Sequence, residues 1–318
     1  MSAMSKILVS GSIAYDRIMD FPGLFSEHFV PDKMHNLSVS FQVKSFRENF
    51  GGCAGNIAYT LALLQEEPTI LATAGNDFEA YTKHLQANNI DAASIHLDDK
   101  DVTASAYIIT DQSDNQVAAY YPGSGAKRYG ENVPLEGTET AIVSAGCDDD
   151  IKDLTALYRR QGLRFVFDPG QRVTALSGAD LLEALSGATV LFANDYELGL
   201  IVFKTGKSER ELLERVPTIV STLGEKGARI ITKDEELRVP AVHSDVVVDP
   251  TGAGDAHRAG FTKGLVSGLE LLQCAQLGST VAAYAVEAYG TQNHLFTMQD
   301  LAARYEKTFG EPLMLKGV

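Results

Sequence analysis

Val-Val-Asp-Pro-Thr-Gly-Ala-Gly-Asp-Ala-His-Arg-Ala-Gly-Phe runs from residue 247 to residue 261. Within it, Thr251-Gly252-Ala253-Gly254-Asp255 stands between an apolar run at 246–248, which reads as a strand, and a run from Ala256 that reads as a helix. Two glycines let the backbone bend so that its amides point outward. Those amides meet the positive end of the following helix, which makes a site for anionic oxygens. Bound phosphate would repel the Asp255 carboxylate unless that carboxylate faces the group attacking the phosphate. At the rim of an anion hole it is what a phosphoryl transferase needs as general base. The plainer reading is a glycine turn whose Asp caps a helix.

Outward from this stretch the chain alternates. Residues 141–144 form a short apolar strand, and Ile151, Leu154, Leu157 and Tyr158 then recur at helical spacing up to a C-cap at Gly162. Residues 164–168, 189–193, 218–221 and 228–232 read as strands, and Ser208-Glu209-Arg210-Glu211 is a capping box before Leu212 and Leu213. Residues 256–266 and 271–288 read as helices, the second apolar nearly all round and therefore buried. Strands alternating with helices predict βαβ units and a mainly parallel sheet, whose ligands bind beyond the carboxyl ends of the strands. That rim gathers Gly11-Ser12, Asn194, Thr222-Leu223-Gly224 and residues 252–255. Residues 17–48 and 100–122 break the alternation with β-type segments at 36–43, 104–110 and 116–121. The last two are joined by the turn-rich Asp111-Gln112-Ser113-Asp114-Asn115 as a hairpin.

The 318 residues, 45% hydrophobic and 22% charged, suffice for two domains or one large α/β domain. A formal charge of −15 argues against a nucleic-acid partner and against an anionic membrane surface, both of which need excess Lys and Arg. Cys53, Cys147 and Cys274 fit neither a disulfide framework nor a zinc site, and reduced thiols in the cytoplasm fit best. No signal peptide is expected, and no stretch reaches the ~18 apolar residues of a membrane span. The histidines show no ligand spacing, so a dedicated metal site is not expected. Thr205-Gly206-Lys207-Ser208 imitates the end of a P-loop, but Ile201 occupies the position of its first glycine. Gly123-Ser124-Gly125 imitates a dinucleotide loop, but Arg128 stands where the third glycine is required.

The string Asp249-x-Thr251-Gly-Ala-Gly-Asp255 with Arg-Ala-Gly-Phe after it resembles the second signature of the ribokinase/PfkB family of sugar and nucleoside kinases. Gly51-Gly52-Cys53-Ala54-Gly55-Asn56 resembles the first. His257 departs from the family, which usually has an aromatic there, and a packing difference is the expected result. The resemblance implies a ribokinase-like three-layer α/β/α core formed by residues 1–16, 49–99 and 123–318. It also implies a small β-sheet lid from residues 17–48 and 100–122. On that template Asp255 is the general base, and the amides of Gly252, Ala253 and Gly254 form the anion hole. Ser12, Asp16, Ser40, Gly52, Asn56, Tyr120 and Gln171 bind the acceptor. Asn194, Thr222, Gly224 and Gly227 bind ATP. Glu197 and Asn194 hold Mg²⁺ partly through water, and Asp249 and Thr251, with the 290–292 region, mark a K⁺ site.

Within the family the text most resembles adenosine kinases of the bacterial type. The segments that carry this are residues 11–16, Phe21-Pro22-Gly23, residues 37–41, Tyr120-Tyr121-Pro122-Gly123, Asp168-Pro169-Gly170-Gln171 and residues 194–197. A purine needs flat or apolar faces, for which Phe41, Tyr107 and Tyr120 are the candidates. Ala106 stands where a large residue lining the base pocket is expected. A sugar kinase acting on ribose, fructose or a related polyol is the alternative, and a non-catalytic nucleoside or sugar sensor a further one. A homodimer through the lid is the expected assembly.

Overall fold

A computed structural model describes residues 6–29, 38–113, 115–130 and 132–315. The first half carries β1 (Lys6–Ser10), β2 (Ala14–Asp20), β3 (Ser45–Gly51), α1 (Cys53–Leu63), β4 (Glu67–Leu71), β5 (Thr73–Ala74), α2 (Glu79–Ala87), β6 (His96–Leu97), β7 (Ala104–Thr110) and β8 (Gln116–Tyr121). The second half carries β9 (Thr138–Val143), α3 (Asp148–Gln161), β10 (Arg164–Phe167), α4 (Gly178–Leu185), β11 (Val190–Asn194), α5 (Asp195–Thr205), α6 (Glu209–Leu212), β12 (Thr218–Thr222), β13 (Ala228–Ile231), β14 (Glu236–Val239), α7 (Ala253–Ser267), α8 (Leu271–Val286) and α9 (Met298–Phe309).

Eight strands form one sheet in the order β14-β13-β12-β11-β10-β9-β1-β4, parallel except where β13 pairs antiparallel with β12 and with β14. The inner strands β1, β9, β10, β11 and β12 are buried on both faces, which is why they read as continuous apolar runs. Alternate residues divide between two cores. Val190 and Phe192 pack with α1, α7 and α8, while Leu191 and Ala193 pack with α3, α4 and α5. This is the expected α/β/α layering with a mainly parallel sheet.

A second sheet, in the order β3-β2-β7-β8, stands apart from the first. Its register puts Asp16 beside Asn49 and Ala106, with Tyr120 opposite Ala106, so these four share one face. Arg17, Ser105 and Tyr107 share the other. The expected strand at 36–43 is not found. Residues 36 and 37 lie outside the described residues, 38–43 form no regular structure, and the strand begins at Ser45.

Residues 246–248 are a second correction. They form no strand, and Val246, Val247 and Val248 are exposed. The backbone is held instead by the end of α8, where Val286 O accepts from Val248 N and Asp249 N. The β-branched run has no sheet edge to join.

His257 packs edge-on against Phe192 at 5.9 Å between ring centroids, in the place expected of an aromatic. Among the described residues neither of its ring nitrogens finds a hydrogen-bond partner. Burial pushes its pKa down to about 3, so the folded state keeps it neutral. The unfolded state protonates it near pH 6.5. Stability is therefore lost progressively as pH falls below that value. His257→Phe removes an unsatisfied buried group worth on the order of 1–3 kcal/mol. It is expected to raise the thermal midpoint at pH 7, and the margin over the parent should widen between pH 7 and pH 5. Thermal melts across that range check this, and a margin independent of pH would contradict it.

Candidate active site

The backbone enters α7 through Gly252, whose φ of 79° is left-handed. A Cβ there would lie 2.9 Å from the Cβ of Thr291, so glycine is required by both conformation and space. The turn delivers Asp255 into the first helical turn, buried. The N–H groups of Gly254 and Asp255 belong to the turn that has no intrahelical acceptor, and they leave the helix end open to anionic oxygen. Ala253 N differs, since it donates to Pro250 O at 3.3 Å.

Asn56 Nδ2 donates to Asp255 Oδ2 at 2.8 Å. Asn56 lies on α1, which β3 enters with no loop between them. At the junction Gly52 has φ 87°, and a Cβ there would meet Ser12 O at 2.6 Å and Ala14 N at 2.7 Å. Ser12 is occupied at the same place, its Oγ accepting from Cys53 N at 3.0 Å.

Arg258 follows one turn after Asp255. Its Nη2 donates to Asp168 Oδ1 at 2.9 Å, its Nε contacts Asp168 Oδ2, and its Nη1 lies 3.9 Å from Asp255 Oδ1. Both partners of the Asp168–Arg258 pair are buried. Burial pushes the Asp255 carboxyl up, Arg258 and the Asn56 hydrogen bond hold it back, and the charge of Glu197 adds to the rise. Burial pushes Asp168 up as well, against the pull of Arg258. Asp16, half-buried on the inner face of the small sheet, is pushed up to about 6 by burial and by Asp249 and Asp255. The charges of Asp249 and Asp255 are thus both felt at Asp16.

Tyr120 shares that face of the small sheet with Asp16. Burial raises its phenol, and the charges of Cys53, Arg172 and Asp16 act on it. Tyr107 does not join it: it lies on the opposite face, where Arg17 Nη1 donates to its hydroxyl at 2.7 Å. Phe41 does not join it either. It packs in an aromatic cluster with Phe21, Phe25, His28 and Phe29. Ser40 is exposed in the irregular stretch before β3, and Gln171 is exposed on the short 3₁₀ turn at Gly170–Thr174.

On the other side of the rim, Asn194 Oδ1 accepts from Glu197 N at 2.8 Å, and Glu197 Oε2 accepts from Asn194 N at 2.9 Å. This capping box opens α5 and uses one oxygen of each side chain. Thr222 ends β12. Gly224 and Gly227 bracket a 3₁₀ turn, both with positive φ, and Leu223 N donates to Gly227 O at 2.7 Å. Asp249 accepts from Thr251 N at 2.9 Å and from Gly290 N at 3.0 Å. Among the described residues no group of three or more His, Cys, Asp or Glu is arranged to hold a metal ion by itself, and no helix is long and apolar enough to cross a membrane.

Sequence reasoning missed Arg258 as the partner of Asp168. The i,i+3 spacing from Asp255 was a signal in the glycine-rich stretch, but the partner lies 90 residues earlier. The side chains of Thr291 and Gln292 were missed as well.

The model of the pfkB family carbohydrate kinases matches residues 4–298. The nucleoside kinase of Methanocaldococcus jannaschii is 33% identical over 308 residues, covering 96% of this chain and 98% of its own. The Burkholderia thailandensis nucleoside kinase in complex with inosine superposes with a TM-score of 0.87 at 36% identity, over 96% of this chain and 99% of that one. The same enzyme in complex with ADP-inosine superposes with a TM-score of 0.85 at 36% identity, over 98% of each chain. With a glycine-bounded loop delivering a buried aspartate to a helix end, and a family match along nearly the whole chain, this protein is a kinase and belongs to the pfkB family of carbohydrate kinases.

Proposed function

We propose that the chain transfers the γ-phosphate of ATP to a primary hydroxyl of a nucleoside, with adenosine, giving AMP, as the acceptor assigned first. One observation carries this reading: Asp255 sits buried at the open end of α7, held by Asn56, within electrostatic reach of Asp16 on the facing sheet. The full-length similarity to nucleoside kinases directs it to a nucleoside.

Asp16 would grip vicinal ribose hydroxyls, because one carboxylate can accept two hydrogen bonds. Tyr120 would stack on the base, Asn56 and Ser12 would line the ribose, and Gly52 would allow its close approach. Ser40 and Gln171, both exposed, would meet the nucleoside only on lid closure. Asp255 would then take the proton of the attacking hydroxyl while the Gly252 and Gly254 amides, with Ala253 less available, meet the charge developing on the phosphoryl group. Asn194, Thr222, Gly224 and Gly227 would cradle the nucleotide. Glu197 keeps one carboxylate oxygen outside the capping box, so it suits a hydrated cation, with Asn194 beside it. Mg²⁺ would enter with ATP and neutralise phosphate charge. Asp249 and Thr251 would flank a K⁺ ion. Two copies would pair through the lid, whose outer face exposes Phe46, Val117 and Tyr121. The family description also admits a free sugar as acceptor.

ADP release measured against adenosine, inosine, other nucleosides, ribose and fructose tests the assignment. Turnover confined to free sugars would overturn the nucleoside reading, and binding without turnover would overturn catalysis. Asp255→Asn is expected to lower kcat by ~10²–10⁴-fold with the fold retained by circular dichroism. Asp16→Asn is expected to raise KM for the nucleoside roughly 10–100-fold with less effect on kcat, as loss of a charged hydrogen bond predicts. Because Asp16 titrates near 6, KM of the parent should climb as pH drops below that value, and this limb should vanish in Asp16→Asn.

A further inference from the structure

Gln292 is almost wholly buried and, of the positions assigned to the acceptor, it bonds to Asn56. Its carboxamide lies inside a chain of hydrogen bonds whose direction is fixed at both ends. At one end Tyr81 OH donates to Gly51 O at 2.8 Å, and a carbonyl oxygen can only accept. Tyr81 has a single hydroxyl proton, so its oxygen must accept from the neighbouring Gln292 Nε2 at 2.6 Å. That orients the Gln292 amide. Its other N–H then reaches Asn56 Oδ1 at 3.0 Å, and its Oε1 faces His84 Nε2 at 3.0 Å, which makes the histidine the donor. With its oxygen turned toward Gln292 and toward Thr291 Oγ1 at 2.8 Å, Asn56 must present Nδ2 to Asp255 Oδ2. At this far end stands a carboxylate, which again can only accept.

Reversing any amide in the chain would set donor against donor or acceptor against acceptor. Thr291 alone does not fix the order, because its one proton is shared between Asn56 Oδ1 and Phe50 O at 3.0 Å. Gln292 does. We propose that Gln292 is a positioning residue for the general base: backed by Tyr81 and His84, it fixes the Asn56 amide so that Asn56 donates to one oxygen of Asp255 and leaves the other turned toward the cleft. The proposal rests on the kinase reading for the name of the base, but not for the geometry.

The donated hydrogen bond favours the ionised form of Asp255. The other groups facing Asp255 are Arg258 on its own helix, Asp168 beyond β10, Glu197 on α5, Cys53 on α1, Asp16 on β2 and Tyr81 on α2. Arg258 is held by Asp168 and not by Gln292.

The test compares the parent with Gln292→Leu and with the milder Tyr81→Phe, which breaks the chain one link earlier. Two readouts are taken: the pH profile of kcat with nucleoside and ATP, and the titration of Asp255 followed by ¹³C NMR of its carboxyl, assigned by its loss in Asp255→Asn. The expected result is a kcat fall of roughly 10–100-fold, KM values within about threefold, and an acid limb displaced to higher pH with the same displacement in the NMR titration. Unchanged kcat and an unchanged Asp255 titration in either folded variant would overturn the proposal while leaving the kinase reading intact. If the parent shows no nucleoside phosphorylation, the nucleoside reading fails separately, and the NMR titration still decides whether Gln292 controls Asp255.

Discussion

A hydrogen bond of 2.8 Å between Asn56 and Asp255 joins two helices that belong to opposite ends of the chain. α1 supplies the amide and α7 the carboxylate, and the two glycine signatures exist to bring them together. Gly52 lets β3 turn straight into α1, and Gly252 lets the backbone turn straight into α7. Each is surrounded so closely that no side chain would fit. The rest of the site is arranged about this contact: the Thr291 and Gln292 side chains below it, Arg258 beside it, and the inner face of the small sheet across the cleft.

An acidic protein that binds polyanions must arrange its charges locally. Here Asp168, Glu197 and Asp255 surround the single guanidinium of Arg258, so the site holds an excess of negative charge before any ligand arrives. Burial raises the Asp168 and Asp255 carboxyls, the neighbouring carboxylates add to the rise, and a cation arriving with the nucleotide would have charge here to neutralise. Breaking the Asp168–Arg258 pair would leave a charge stranded in the interior, which costs far more than the pair itself contributes. The pair is therefore better understood as holding the floor of the cleft in place than as a net source of stability.

The alternation of apolar runs made the layered core legible, because strands buried on both faces and helices with capping boxes leave strong local signals. Gly162 ends α3 where the pattern placed it, with φ of 65°. Face choice in the small sheet was not legible. Tyr107 and Tyr120 are equally aromatic, and only the pairing of β7 with β2 and β8 shows that one faces Arg17 and the other Ala106 and the cleft. Phe41 satisfied the chemistry of stacking on a base but found other aromatic rings nearer. The three valines at 246–248 had strand propensity without a neighbouring edge, and propensity alone does not make a strand. Gln292 stood in a segment expected only to flank a K⁺ ion, and nothing in a single sequence says where a side chain 236 residues from Asn56 will point.

The direct passage from β3 to α1 also has a mechanical side. The edge strand of the small sheet and the helix that grips the carboxylate form one continuous member, and the joint between them is crowded by Ser12 and Ala14. A hinge needs room to swing, and there is none at this point. Were the small sheet to swing, the movement would have to be absorbed away from this corner, which would act as a fixed fulcrum while the far edge of the sheet travelled furthest.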